Sequence, residues 1–349
     1  MNASFAICKQ FISRQIISGQ FPEIQLFIAV GNNIIHFNFL KIKLFLEKME
    51  SGKLNVLIVG ATGKLGALIT KHVLLQPNLI ANILVRNPKK NPELVKSVQE
   101  AGGKVLQGDL GELETLKDVT KGMHTVISTI YPSDEKIFIT GQFALIDDCL
   151  RNGVERFVPA DFGGDIKRFT PEELAEGLSI GFLVRVHDYL KGKQIKTLHF
   201  WQGIFTESFF EFPEASSWGT PEHKYDLTTY EDTAKVVAAA IAQENRIGDV
   251  VIVGESLTLK EIIDVYNRVR GTSLVPQKKR TLEELKTKWD EAIKASGARS
   301  HEAMFLDLLY FILDDRHELL KTSNSEFPDI HLTTLEEFLV KNPDIKLSS

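Results

Sequence analysis

The stretch from Leu54 to Gly66 most constrains what this chain can fold into. It begins with a short run, Leu54 to Val59, that is rich in β-branched apolar residues, the composition of a buried parallel strand. Gly60, Gly63 and Gly66 follow at G-x-x-G-x-x-G spacing, and a helical apolar pattern comes next. Glycines let the backbone approach a phosphate, and a helix N-terminus offers that phosphate free N–H groups. The stretch therefore predicts a nucleotide-binding strand–turn–helix unit, and the alternative is a tight turn without a ligand.

Strand-like and helix-like segments alternate from Leu54 onwards, which predicts a parallel sheet with helices on both faces. The predicted strands span residues 54–59, 80–85, 104–107, 124–129, 156–159, 196–201 and 250–253. The predicted helices span residues 67–75, 92–101, 113–120, 138–151, 178–190, 230–243, 259–270, 282–296 and 301–320. We expect a Rossmann-type, doubly wound α/β fold. A smaller, mostly helical C-terminal substrate lobe would cover the carboxyl ends of the strands, where such sheets bind ligands.

Three regions follow from this pattern. Residues 49–202 are predicted to form the dinucleotide-binding core, and residues 203–349 a substrate lobe interleaved with the last strands of the core. Residues 1–48 contain many Phe and Ile and almost no acids, so we expect a peripheral or non-native extension before a functional start at Met49. A transit peptide is the alternative. No membrane span is expected, because the uncharged run from Ile24 to Leu40 is short and interrupted by polar residues.

Composition argues against several classes of partner and site. The net charge is −5 and no long basic run occurs, so nucleic acid is not an expected partner. The two cysteines, Cys8 and Cys149, form no C-x-x-C motif, so neither a disulfide framework nor a zinc site is predicted. No His, Cys and Asp spacing indicates any other metal site. A reducing, cytoplasmic location fits this cysteine usage best.

The end of the second predicted strand distinguishes between dinucleotides. An NAD site usually has an acid there, about 20 residues past the glycines, for the ribose hydroxyls. This chain instead has Arg86, Lys89 and Lys90 and no acid. Arg86 can form a forked contact with a 2′-phosphate while Lys89 adds charge. We therefore predict NADP(H), and the alternative is a solvated basic loop.

Further cofactor contacts are predicted at the strand ends. Lys64 is expected to reach the phosphates, and Asp109 either accepts from the adenine amino group or caps the following helix. Ser128 and Thr129 end the fourth strand, where the nicotinamide half should lie, or are ordinary strand-end hydroxyls. The complete predicted cofactor set is Gly60, Thr62, Gly63, Lys64, Leu65, Gly66, Arg86, Lys89, Asp109, Ser128, Thr129 and Pro159.

Several motifs occur in an order typical of one protein family. They are GATGKLG at 60–66, LVR at 84–86, GDL at 108–110, VIS at 126–128, Gln142, GVERFVPADFG at 153–163, GIF at 203–205 and TTYED at 228–232. From about Leu54 to about Arg280 the chain resembles the NmrA-like group of atypical short-chain dehydrogenases, which includes isoflavone reductase. The resemblance implies a Rossmann domain, NADPH binding and a substrate cleft between the core and the C-terminal lobe.

Two departures from the family pattern concern the chemistry. The family motif usually has Ser where this chain has Ala160. The reductases carry a catalytic Lys on the helix before the sixth strand, and counting back from Ile195 places that position at Leu183. Arg185 lies two residues later, but arginine stays charged and cannot exchange a proton as lysine can. The family's proton-transferring lysine is therefore predicted to be absent.

Other side chains are candidates for that role. Tyr189 and Lys193 form a Tyr-x-x-x-Lys pair, as in ordinary short-chain dehydrogenases, but lie at the end of a predicted helix, where a structural role is the alternative. His187 on the same helix is the third catalytic candidate. The remaining possible donors are His199, His223 and Tyr225.

Two functions are consistent with these patterns. The first is an NADPH-dependent reductase of a small aromatic or conjugated substrate, held by the phenylalanines between Phe205 and Trp218. Those phenylalanines are alternatively core contacts. The second is a non-catalytic NADP(H)-sensing protein that acts through a protein partner, as regulatory members of the resembled group do, and Leu183 favours it.

Overall fold

The computed structural model describes residues 26–30, 33–37, 52–131, 134–168, 179–211, 222–275, 281–297, 300–313, 319 and 321–347. Contacts divide the chain into two compact units, residues 1–53 and 54–349. The described part of the first unit is an antiparallel hairpin of β1 (Leu26–Val30) and β2 (Asn33–Phe37). The hairpin lies inside the predicted extension, and the peripheral role of that extension stays a prediction.

A seven-stranded parallel sheet forms the centre of the second unit. Its order is β11-β8-β7-β6-β3-β4-β5, so the chain runs outward from β3 first to one edge and then to the other. The strands are β3 (Leu54–Val59), β4 (Leu79–Val85), β5 (Val105–Gln107), β6 (Thr125–Ser128), β7 (Arg156–Val158), β8 (Lys196–Trp201) and β11 (Gly248–Val251). This topology confirms the predicted doubly wound sheet, with its order reversing between β3 and β6.

Helices cover both faces of the sheet because the strands are apolar on both sides. Helices α1 (Lys64–Leu74) and α2 (Pro92–Glu100) share one apolar core with a later helix, α6 (Tyr230–Ala242). Helices α3 (Gln142–Arg151) and α4 (Ser179–Leu190) contribute to the core on the other face. A π-helical segment, Lys136–Gly141, leads directly into α3.

A third apolar core lies in the C-terminal half and joins a small sheet to several helices. The small sheet has the order β12-β10-β9. Its strands are β9 (Ile204–Phe205), β10 (Lys224–Thr228) and β12 (Glu255–Thr258). The helices of this half are α5 (Thr206–Glu211), α7 (Leu259–Arg270), α8 (Leu282–Ser296), α9 (His301–Ile312) and α10 (Leu335–Lys341).

The structure corrects several predicted elements. No strand or helix is predicted between residues 201 and 230, yet residues 204–211 form β9 and α5, and residues 212–219 lie outside the described residues. Only a 3-10 turn, Leu113–Leu116, forms in the predicted helix at 113–120, and the last sheet strand begins at Gly248 rather than at residue 250. Strands β10 and β12 and helix α10 were not predicted, because short segments with mixed polar residues carry little periodicity.

Candidate functional site

The predicted glycine turn joins β3 to α1 at the carboxyl edge of the sheet. Gly60 has a φ of +85°, and its carbonyl accepts the Gly63 N–H at 2.9 Å. A β-carbon placed on Gly66 would lie 2.3 Å from the Gly60 carbonyl oxygen and 2.6 Å from Thr129 Oγ1. Both neighbours are fixed, since the oxygen belongs to the backbone and the hydroxyl donates to the Val59 carbonyl at 2.8 Å. Glycine at position 66 is therefore what lets the start of α1 lie against the end of β3.

The N-terminus of α1 is left open by this turn. Gly63 is the N-cap residue and has no side chain to accept from the first N–H groups of the helix. Five later helices, α6 to α10, each have a Ser or Thr N-cap that accepts such a bond: Thr229, Thr258, Thr281, Ser300 and Thr334. The N–H groups of Lys64, Leu65 and Gly66 thus lack a side-chain cap and are oriented to bind an anion.

Basic side chains lie next to this turn. Strand β4 pairs with β3 in register Val59↔Leu84, so Arg86 follows the strand end beside the turn. Arg86 and Lys89 are exposed, and within the described segments neither side chain forms an ion pair. Asn87 accepts the Lys89 backbone N–H at 2.9 Å and shapes the basic loop. The cationic groups are therefore free to contact a phosphate.

The two hydroxyls at the end of β6 differ in role. Thr129 donates its hydroxyl to the Val59 carbonyl and packs against the glycine turn, so it fastens β6 to β3. The Ser128 hydroxyl is buried and has no hydrogen-bond partner among the described residues. A buried polar atom of this kind usually meets a ligand or an ordered water. Ser128 fits a cofactor contact better than Thr129 does.

Three other predicted cofactor residues, Lys64, Asp109 and Pro159, have protein partners or are buried. Lys64 Nζ lies 2.7 Å from Glu211 Oε1 on α5, and this hydrogen bond raises the pKa of the lysine. Asp109 Oδ1 accepts the Gly111 N–H at 2.9 Å, so its side chain shapes its own loop. Pro159 is buried after β7, whereas Thr62 is exposed in the glycine turn. Only Thr62 of these four offers a solvent-facing side chain without a partner among the described residues.

Tyr189 and Lys193 lie near the amino ends of the strands, at the edge opposite the glycine turn. The Tyr189 hydroxyl donates to both oxygens of Asp147 on α3, at 2.7 and 2.8 Å, and its ring stacks on Phe143. Lys193 Nζ lies 3.9 Å from the centre of the Tyr189 ring and lines a groove beside the first residues of β7 and β8. The fold does not bring this pair to the cofactor residues.

His187 and His199 both contact Asp161, which follows β7. His187 Nε2 lies 2.7 Å from Asp161 Oδ1, and His199 Nδ1 lies 2.7 Å from Asp161 Oδ2. Burial alone would raise the pKa of Asp161, but the charge and hydrogen bond of His187 hold it well below its usual value. Burial alone would lower the pKa of His187, and the Asp161 carboxylate reverses this and raises it. Sequence spacing missed this cluster because its members lie far apart along the chain.

The position predicted to match the family's lysine carries an apolar side chain. Leu183 is buried in the core between the sheet and α4. The Arg185 guanidinium forms an ion pair with Glu135, with 2.6 Å between Nη1 and Oε1. Neither side chain can donate a proton to a substrate at neutral pH.

The aromatic residues after β8 are divided between core and site. Phe209 and Phe210 are buried in the third core, whereas Phe205 stacks on Tyr230 with 3.8 Å between ring centres. The Tyr230 hydroxyl lies 3.2 Å from Ser208 Oγ. A small apolar cavity of about 30 Å³ adjoins them, lined by Ile204, Ser208, Phe209, Phe305, Leu308, Leu309 and Ile312. Phe212 and Trp218 lie outside the described residues.

Three other tyrosines and histidines have distinct environments. Tyr225 is buried in β10, and burial raises its pKa, while His223 packs edge-on against its ring. Tyr131 was not predicted as a site residue, yet it lies two residues beyond Thr129 and is 68% exposed. Its position directly after a strand end was the sequence signal that could have identified it.

Among the described residues, no helix is both long enough and apolar enough to cross a membrane.

Comparison with known families identifies the fold and the glycine turn together. A model of the NmrA-like family matches residues 52–339 of this chain. The chain belongs to the NmrA-like family. The match includes the sheet, the glycine turn, the basic loop and most of the C-terminal half. It confirms the resemblance that the sequence motifs indicated.

Relatives of this NmrA-like chain include plant reductases. Phenylcoumaran benzylic ether reductase IRL1 of Ginkgo biloba is 33% identical over 36% of this chain, a match that spans only 42% of that protein. Isoflavone reductase homolog P3 of Arabidopsis thaliana is 22% identical over 83% of this chain and 99% of its own length. The binary complex of leucoanthocyanidin reductase and NADPH from Vitis vinifera has a TM-score of 0.68 at 19% identity, covering 82% and 98% of the two chains. This structural likeness shows a shared fold.

Proposed function

We propose that this NmrA-like chain binds NADP(H) and uses it to reduce a small aromatic or conjugated substrate. One observation carries the proposal: the uncapped N-terminus of α1 follows β3 through the glycine turn, and the exposed Arg86 follows the neighbouring strand β4. A dinucleotide with a 2′-phosphate has two anionic groups that fit these two features. The names of relatives, which are reductases, and the NADPH bound in the Vitis vinifera protein support the same assignment.

Several groups of the chain would hold the cofactor in this proposal. The N–H groups at the start of α1 would hold the pyrophosphate, and Arg86 with Lys89 would hold the 2′-phosphate. Lys64, which is paired with Glu211, would hold a phosphate oxygen in place of that carboxylate. The unpartnered Ser128 hydroxyl would hold the nicotinamide side. Bound NADPH supplies the hydride, and the protein contributes orientation and a proton.

The substrate is assigned to the side of α5 and α9. The stacked rings of Phe205 and Tyr230 there are only partly buried, which favours an aromatic or conjugated ligand. Tyr131 is our candidate proton donor, because this largely exposed residue follows the strand end that carries Ser128. A neutral tyrosine can donate the proton that balances hydride addition. Buried Leu183 cannot take this role.

The proposal is tested by following NADPH oxidation against a panel of aromatic aldehydes and enones. We expect turnover with at least one conjugated substrate. Tyr131→Phe should then lower kcat by about 100-fold, the usual contribution of a positioned acid, without changing NADPH affinity. Tyr189→Phe is the matched control and should keep full activity, because the Tyr189 hydroxyl binds Asp147 at the opposite edge. Unchanged kcat in Tyr131→Phe would remove that residue from the mechanism.

The second candidate function is an NADP(H)-sensing protein that acts through a protein partner. Leu183 favours the sensing function, because a buried leucine at the position predicted for the family's lysine cannot transfer a proton. Equal affinity for NADP⁺ and NADPH, with no turnover across the panel, would contradict the reductase function. Failure to bind either dinucleotide would contradict both functions.

A further inference from the structure

Three side chains from three different elements meet around one buried carboxylate. Asp161 follows β7, His187 belongs to α4, and His199 belongs to β8. One ligating atom from each residue lies within 4.8 Å of the others. The side chain of Asp161 is only 1% exposed, and those of His187 and His199 are 15% and 10% exposed. The cluster is therefore largely withdrawn from solvent and is held from three directions.

The surroundings of the cluster fix its geometry. The His199 and Trp201 rings are nearly parallel, with an interplanar angle of 3° and centres 5.9 Å apart. The Trp201 indole N–H donates to Asp249 at 2.9 Å, and Asp249 pairs with Lys167. Asp249 is thus paired with Lys167, whereas the Asp161 carboxylate contacts both imidazoles and is the anionic group that faces them.

We propose that Asp161, His187 and His199 bind a divalent transition-metal ion, with zinc the best chemical match. Two imidazole nitrogens and one carboxylate oxygen are ligands that zinc uses, and a water completes a four-coordinate site. The nitrogen–oxygen distances of 2.7 Å are hydrogen-bond distances, so the ion takes the place of the protons shared between these atoms. None of the three residues belongs to the predicted cofactor set.

Metal binding would link parts of the chain that are distant in sequence. The ion would join the loop after β7 to helix α4 and strand β8, next to Trp201. The same loop carries the Pro159 carbonyl, which accepts the Asp161 N–H at 2.9 Å. A bound ion would therefore rigidify the carboxyl edge of β7. A hydrogen-bonded cluster that holds no metal is the competing interpretation.

The test uses the full chain, freed of metal by a chelator and dialysed. Zn²⁺ is titrated by calorimetry, and Co²⁺ is titrated while its visible absorption is recorded. We expect one ion per chain and the intense bands of tetrahedral Co²⁺. His187→Ala and His199→Ala should each weaken binding by more than about 100-fold, because loss of an outer partner alone costs about 10- to 100-fold. His331→Ala is the matched control, since His331 is exposed and its ring pairs with Glu337, away from the cluster in sequence.

Wild-type protein that binds neither ion above the level of the His187→Ala/His199→Ala double variant would overturn the proposal. This outcome needs only the wild type to fold, and Asp161→Asn provides a variant of unchanged size. Equal loss of binding in His331→Ala would also contradict the assigned ligands. NADPH titration of the same samples separates this site from the cofactor site, because either one can fail while the other binds.

Discussion

Replacing Gly66 by alanine tests whether the glycine turn has the tight packing that the structure shows. The added β-carbon would lie 2.3 Å from the Gly60 carbonyl oxygen, 2.6 Å from Thr129 Oγ1 and 2.8 Å from the Gly60 carbonyl carbon. Two of these atoms are backbone, so no side-chain rotation relieves the overlap. Overpacking of this kind costs about 1–3 kcal/mol, and the fixed neighbours place Gly66→Ala at the upper end.

Gly63→Ala is the matched control for this substitution. Its β-carbon would meet only the Gly60 carbonyl oxygen, at 3.3 Å, and Gly63 has an ordinary φ of −78°. We expect Gly63→Ala to cost less than about 1 kcal/mol, because glycine already lacks the side-chain cap whose loss to alanine typically costs about 1 kcal/mol.

Thermal and urea unfolding, each followed by circular dichroism, measure the difference. A loss of about 3 kcal/mol lowers the melting temperature of a unit of about 300 residues by about 5 °C. Equal melting temperatures for Gly66→Ala and Gly63→Ala would refute the reasoning. The same result would show that the turn tolerates a side chain where the structure has none.

Three further predictions concern the stability of the protein and the Tyr189–Lys193 pair. Arg156→Met should lower the free energy of unfolding, measured in urea, by about 3 kcal/mol or more. The buried Arg156 guanidinium donates to Thr125 and to four backbone carbonyls at the C-terminal end of α6 and just beyond it, and these acceptors would lose their donor. Tyr189→Phe should lower the free energy of unfolding by about 1 kcal/mol and leave NADPH affinity unchanged. A loss of NADPH affinity would instead indicate that the Tyr189–Lys193 pair contacts the cofactor. Burial would raise the pKa of Asp232, but its hydrogen bond with Lys235 lowers it below 3.8. The ionised Asp232 therefore stabilises the folded state above pH 3.8, and this stabilisation is lost as the pH falls through the lowered pKa. In Asp232→Asn, the free energy of unfolding should depend less steeply on pH in this acid range.

Local patterns predicted the parts of the fold whose partners are near in sequence. Strand β3, the glycine turn and α1 are contiguous, so composition and spacing specify them directly. Helices α7 and α8 were predicted with their observed bounds, since each has a Thr N-cap three residues before a Glu that completes a capping box. Strands β10 and β12 were missed because their pairing with each other, rather than their own periodicity, defines them.

The candidate site shows the same division. Arg86 was identified because it follows a strand end close to the glycines. The Tyr189 and Lys193 spacing is that of a catalytic pair, but the Tyr189 hydroxyl donates to Asp147, which lies 42 residues away along the chain. The contact of His187 with Asp161 spans 26 residues and no local spacing encodes it. Side chains brought together only by the tertiary fold therefore could not be predicted from one sequence.

Fluorescence titration of NADPH and NADH into wild-type and Arg86→Ala protein tests the central claim most directly. If Arg86 binds the 2′-phosphate, Arg86→Ala should lose about 10- to 100-fold in NADPH affinity, the value of one charge-assisted contact. Its NADH affinity should stay the same. Arg268→Ala is the control, because that exposed arginine pairs with Glu336 on α10. Equal losses for both dinucleotides, or no loss for either, would contradict the assignment of this turn and basic loop to NADP(H).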